Sequence, residues 1–194
     1  MTSDPSTAAA VRLSLRVGIH ESGGLRVSGI VANETAADVY VLDGVWTFAP
    51  GPKAVLDSRR AYRFVESDVL QVLVGVPPLP EDRLMAVWYI PFASRVRPGA
   101  TRQLTIDLDD PTTEYSCYFN MRRAAVNEVV TVRAMELVVH YLTEIGESSP
   151  RQSLLGEEYF DVSAAAAKSF AVLRSERQPV DLRVVRYLQG FPRP

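Results

Sequence analysis

Hydrophobic and polar residues alternate along the chain from Val11 onward. Val11, Leu13, Leu15, Val17 and Ile19 are apolar, and Arg12, Ser14, Arg16, Gly18 and His20 lie between them. A period of two marks a strand with one face on a core. Leu25, Val27, Gly29 and Val31 continue on the same parity, which predicts a hairpin from Val11 to Val31. Its register follows from matching the faces. A three-residue loop, Ser22-Gly23-Gly24, pairs Glu21 with Leu25, Ile19 with Val27 and Val17 with Gly29. A two-residue loop sets His20 against Val27 and mixes the faces, so an odd-length turn is expected. His20 then points outward, opposite Arg26.

The segment from Val31 to Leu42 reads as strand, polar turn and strand. Further strands are expected at 39–48, 60–66, 69–76, 84–90 and 102–108. Pro77-Pro78-Leu79-Pro80 breaks the ladder, because proline has no N–H to give it. Pro98-Gly99 marks another turn. Residues 129–142 are rich in valine, which favours a strand. Val130, Val132 and Ala134 share one parity, and Met135, Leu137, Val139 and Tyr141 share the other. The facing therefore switches near Ala134-Met135, as a β-bulge allows. An amphipathic helix is the rival, since Val129, Val132, Met135, Val139 and Leu142 also fall at helical spacing. Residues 146–162 read as an irregular connection. Ser163 is placed to cap a short helix through Ala164–Ala167. The chain is expected to close with one or two strands, since Val180, Leu182 and Val184 alternate with Asp181 and Arg183.

The predicted elements are almost all strands, so the expected class is mainly β. With 194 residues, 47% of them hydrophobic, a core can form without metals or disulfides. One domain is expected, with 1–9 as a flexible lead-in, 11–110 as the core and 111–194 as an elaboration packed on it. A net charge of -2 exerts no global pull on nucleic acid or anionic membranes. The one cysteine, Cys117, permits no intramolecular disulfide and no thiolate cluster. No stretch reads as a signal peptide or a membrane-spanning helix, and a reducing cytoplasm is the expected setting.

Two stretches carry a resemblance. Val31-Ala32-Asn33-Glu34-Thr35 leads into Val39-Tyr40-Val41, and Arg97-Pro98-Gly99-Ala100 leads into Leu104-Thr105-Ile106. Both resemble bacterial immunoglobulin-like and fibronectin type III-like domains, over about residues 11–110. The resemblance implies an antiparallel immunoglobulin-like sandwich, here with a C-terminal extension containing a short helix. The antibody pattern of Cys, Trp and Cys is absent, and fold likeness of this kind transfers no function.

Candidate chemistry is sparse. His20 faces a cation, Arg26. His140 follows Glu136 by four residues, which on a strand is about 13 Å. Neither histidine stands in a metal-binding spacing, so no metal and no cofactor is expected. Cys117 sits in Tyr115-Ser116-Cys117-Tyr118-Phe119 with no base placed beside it. Ser22-Gly23-Gly24 lacks the lysine of a phosphate loop. Asp109-Asp110 and Glu157-Glu158 fall in expected loops. Basic residues cluster at Arg59, Arg60 and Arg63, at Arg122-Arg123, and along 168–194, but no nucleic-acid-binding signature accompanies them.

Leu84-Met85-Ala86-Val87-Trp88-Tyr89-Ile90 differs from the other strands, because both parities are apolar. A simple sandwich strand needs one apolar face, so something must cover Met85, Val87, Trp88 and Tyr89. These four are the candidate interface. The cover is the rest of the chain, a partner protein or a second copy. The expected function is a non-enzymatic protein-protein interaction module, as a homo-oligomer or an accessory subunit. One alternative is a small-molecule or glycan binder using Trp46, Trp88 and Tyr89. Another is a hydrolase built from His140, Glu136 and Cys117.

Overall fold

A computed structural model describes residues 10–21, 23–48, 54–57, 61–80, 89–119, 126–146, 148, 150–152, 158–189 and 191–192. The alternating segments become strands in chain order: β1 (Val11–Ile19), β2 (Leu25–Asn33), β3 (Val39–Phe48), β4 (Ala54–Asp57), β5 (Tyr62–Glu66), β6 (Val69–Val74) and β7 (Phe92–Val96). They continue as β8 (Thr101–Leu108), β9 (Thr112–Thr113), β10 (Asn127–Leu142), β11 (Pro150–Gln152), β12 (Glu158–Phe160), β13 (Ala171–Arg174) and β14 (Gln178–Tyr187). The class is mainly β, as the alternation predicts.

The strands form a 3-stranded antiparallel sheet, β1-β2-β8, and an 11-stranded mixed sheet in which β10 is the hub. Antiparallel β14, β13 and β3 pair with β10, and β6 runs parallel to it. A second parallel contact joins β9 to β14. One apolar cluster fills the space between the sheets. Val27, Val31, Leu104 and Ile106 enter it from the smaller sheet, and Leu70, Val72, Met135, Leu137, Val139 and Leu182 from the larger. Asp43 ties the sheets together. Its buried carboxylate accepts from Ser94 Oγ at 2.6 Å and from Arg102 Nε at 2.7 Å, so β3, β7 and β8 share one ion. Burial pushes that carboxyl above its ordinary range, against the opposing pull of Arg102 and Ser94.

The hairpin keeps the expected faces but shifts the expected register by one residue on each strand. Ile19 pairs with Leu25, Val17 with Val27 and Leu15 with Gly29. The turn closes earlier, with His20 N–H donating to Gly24 O at 2.8 Å and Gly23 N–H to His20 O at 2.9 Å. Gly23 has φ of 89°, a left-handed conformation that glycine adopts without strain. The loop length stays odd, so parity survives; Ser22 lies outside the described residues. Ile19, expected on the core face, is 86% exposed at the projecting end of the hairpin. His20 stands 3.6 Å from Asp107, which also binds Arg26.

Residues 127–142 are strand, not helix, and they carry the expected switch of facing. Val130 and Val132 face the central core, and so do Met135, Leu137 and Val139. The parity changes between Val132 and Met135, where the N–H groups of Arg133 and Ala134 both donate to Asp68 O. The pairing with β14 shifts at the same place.

Two further expectations are corrected. The connection 146–162 contains β11 and β12, which pair with each other, and β12 adds to β7 at Phe160. The short helix is a single 3-10 turn, Ala166–Lys168, although Ser163 Oγ does accept the Ala166 N–H at 3.1 Å. Of the expected strand 84–90, residues 84–88 lie outside the described residues, while Tyr89 and Ile90 are not in a strand. Among the described residues, no helix is long and apolar enough to cross a membrane.

Candidate ligand groove

The face of β10 turned away from the central core carries Glu136, Val138 and His140. Parallel pairing sets Gln71 of β6 beside Glu136 and Leu73 beside Val138. Antiparallel pairing sets Arg174 of β13 beside Val138 and Val172 beside His140. Above this floor stands the proline-rich segment that follows β6. Together Gln71, Leu73, Val76, Pro77, Pro78, Leu79, Val138, His140, Phe170 and Arg174 line a groove of about 360 Å³. That is within the size range of small-ligand sites, about 300–1,000 Å³.

The wall is fixed through His140. Its Nδ1 accepts the Val76 N–H at 3.2 Å. Its ring stacks on Phe170, with centroids 4.0 Å apart and planes 11° from parallel. Phe170 is delivered there by the Ser163-capped turn just before it. Behind the ring is Gly75, whose φ is 152°. A Cβ added there would lie 2.5 Å from His140 Cγ, so only glycine admits the ring. Burial, and secondarily the Arg174 charge, bring the His140 imidazole down to about 4. At neutral pH it is uncharged. With Nδ1 accepting, Nε2 carries the hydrogen and is a donor.

The charged groups are linked to one another. Glu136 is buried and binds both Arg174, in a short hydrogen bond, and Arg177, at 3.5 Å. Gln71 Nε2 donates to Glu66 at 3.1 Å. Among the described lining residues, Arg174 is the one charged side chain.

The other sequence-level candidates are dispersed. Cys117 lies in an aromatic cluster with Tyr62, Phe64, Tyr115, Phe119, Tyr187 and Phe191. Burial pushes its thiol up to about 11, against a hydrogen bond with Tyr62. Glu136, His140 and Cys117 are thus each engaged by a different neighbour. Among the described residues, no three His, Cys, Asp or Glu side chains gather as a metal would require. Arg63 donates to Thr113 O at 2.7 Å and lies over the Tyr115 ring. Arg183 binds Asp110, and Arg186 lies 3.9 Å from Glu128. Glu158 binds Arg95. Arg59, Arg60, Arg122, Arg123 and Glu157 lie outside the described residues.

Of the four candidate interface residues, Met85, Val87 and Trp88 also lie outside the described residues. Tyr89 is half-buried. Its N–H donates to Tyr118 Oη at 2.9 Å, and its ring meets that of Tyr118 at 5.5 Å. The Trp46 side chain is likewise not described. Sequence reasoning treated Pro77-Pro78-Leu79-Pro80 as a break between strands, and so missed the wall of the groove. The available signal was the apolar proline run directly after Gly75; nothing in the pattern placed His140 beside it.

The fold is mainly β, and its described residues line a partly open, mostly apolar groove. No family model matches the chain, and neither a curated protein nor a solved structure matches it.

Proposed function

We propose that this chain is a non-enzymatic binding protein whose groove takes a small, mostly apolar ligand. The observation that carries this reading is the groove itself. It combines an apolar wall with a floor that mixes apolar side chains and a few polar groups, the usual make-up of a ligand site. Its histidine is held by Val76, Phe170 and Gly75, so the site is organised before any ligand arrives. The test is titration with Nile red, an uncharged apolar dye. Saturable binding is expected, weakened several-fold by Leu79→Asp at the exposed rim with the melting temperature unchanged. Absence of saturable binding, or no response to Leu79→Asp, overturns the reading.

A second reading is favoured by the apolar rim. Leu79 is 47% exposed and Val172 is 46% exposed beside the groove. With the two-faced apolar segment 84–90, they support a protein-protein interaction module, as a homo-oligomer or an accessory subunit. Sedimentation velocity at micromolar concentration tests self-association, and a monomer there rules out the homo-oligomer. The immunoglobulin-like or fibronectin type III-like sandwich belongs with these proposals. It is supported by the core shared between the three-stranded and larger sheets, and by Asn33, whose side chain closes the turn to β3 through Thr35, Ala37 and Val96. A cytoplasmic setting is supported by the lone cysteine.

A further inference from the structure

The polar groups of the groove are not neutral in what they select. His140 offers Nε2–H, since its Nδ1 is taken by the Val76 N–H. Arg174 offers the guanidinium N–H groups that Glu136 does not use. Both are donors. Two guanidiniums, Arg174 and Arg177, already share the Glu136 carboxylate, and Gln71 occupies Glu66. A cationic ligand would therefore find no open carboxylate among the lining residues, whereas an anionic group would meet a guanidinium and a neutral N–H. The rest of the lining is apolar, and a volume of about 360 Å³ holds a chain or ring system much larger than an acetate.

Resting on the ligand-binding reading above, we infer that the groove binds a small amphipathic carboxylic acid. Its alkyl or aryl body lies along Leu73, Val138 and the Val76–Leu79 wall, and its carboxylate meets Arg174 and the Nε2–H of His140. The planar guanidinium suits a carboxylate better than a point charge would. Phe170 backs the carboxylate end of the groove, where its ring is fixed on His140.

Calorimetric titration of the full chain with octanoate, octanol and octylamine separates charge from apolar burial. Octanoate is expected to bind roughly tenfold or more tightly than octanol, as a charge-assisted hydrogen bond implies, and octylamine the most weakly. The double variant E136Q/R174Q removes one charge of each sign. It should erase the preference for octanoate while keeping octanol and Nile red binding. A measurement on the unaltered chain stands beside it. The protein has two histidines, so the nitrogen resonances of His140 can be followed with His20 as reference. Octanoate should move the His140 Nε2 signal and octanol should leave it close to its free position. Equal affinities for octanoate and octanol, a preference that survives in E136Q/R174Q, or a still His140 signal each overturn the acid while leaving the groove reading intact. Failure of Nile red and of all three octyl compounds overturns the groove reading itself. Tighter binding by a tetrapeptide with a free leucine C-terminus than by octanoate replaces the free acid by a protein C-terminus.

Discussion

Between Met135 and His140 both faces of β10 are buried, and they are chemically opposite. On one, Met135, Leu137 and Val139 are all 0% exposed and wholly apolar. On the other, Glu136 is 6%, Val138 4% and His140 7% exposed. A strand in parallel pairing needs cover on both faces, and β10 obtains it in two ways. The first face is covered by the smaller sheet, through Val27, Leu104 and Ile106. The second is covered by pieces: the Val76–Leu79 segment, Phe170 and the arginines of the β13 region. A sheet seals a face completely, whereas loops and side chains leave gaps. Burial is therefore compatible with a site on the second face and not on the first.

Breaking the sealed face should cost most. Leu137→Ala is expected to lose about 3–5 kcal/mol, because a fully buried leucine leaves a cavity between two rigid sheets. Urea unfolding measures it, and a loss under about 1 kcal/mol would mean that the sheets are not packed through this residue. Gly75→Ala tests the pieced face. The added methyl collides with the His140 ring in a backbone conformation that disfavours any side chain. A loss of about 2–4 kcal/mol is expected from overpacking and strain together. The His140 resonances should shift with it. A stable variant with an undisturbed His140 would show that the ring has room to move.

The sealed face was legible in the sequence, and the pieced face was not. Val130, Val132, Met135, Leu137 and Val139 announce their side by spacing alone, including the switch at the bulge, because a core selects apolar residues at a fixed period. The hairpin faces were legible for the same reason. Its exact pairing was not, because a register displaced by one residue on each strand preserves every face, and only the turn distinguishes the two. On the pieced face, Glu136 and His140 give no periodic signal. Their partners, Arg174 and Val76, come from distant parts of the chain, and the parallel pairing of β6 with β10 that joins them depends on topology rather than pattern. The apolar excess of 84–90 calls for a covered second face; of its two described members, Tyr89 is held by Tyr118.

A pH titration sharpens the comparison, since only the second face can protonate in the mildly acidic range. The His140 imidazole lies at about 4 in the folded chain against 6.5 unexceptionally. The unfolded chain then binds the proton more readily between those values. Stability contributed by keeping His140 neutral is fully present above about pH 6.5 and is lost as pH falls toward 4. The loss attributable to this residue is at most about 3 kcal/mol. Melting curves from pH 7.5 to 4 measure it. His140→Gln supplies an acceptor for the Val76 N–H without a titrating group, and should flatten the slope in that window. An unchanged slope assigns the acid sensitivity elsewhere.

The smallest effect is the most discriminating for the apolar rim. Val172 pairs with His140 and shares its face, yet it is 46% exposed. In an isolated chain, Val172→Ser at such a position should change stability by less than about 0.5 kcal/mol. It trims apolar surface that water already reaches, so little transfer free energy is at stake. If the rim is instead covered in solution by a second copy, the same substitution removes buried surface. The loss then exceeds about 1.5 kcal/mol and grows with protein concentration, because association and folding are linked. Melting Val172→Ser and the unaltered chain side by side at two concentrations separates these cases. A small, concentration-independent difference leaves the groove open to a ligand, and a large, concentration-dependent one makes this rim an interface.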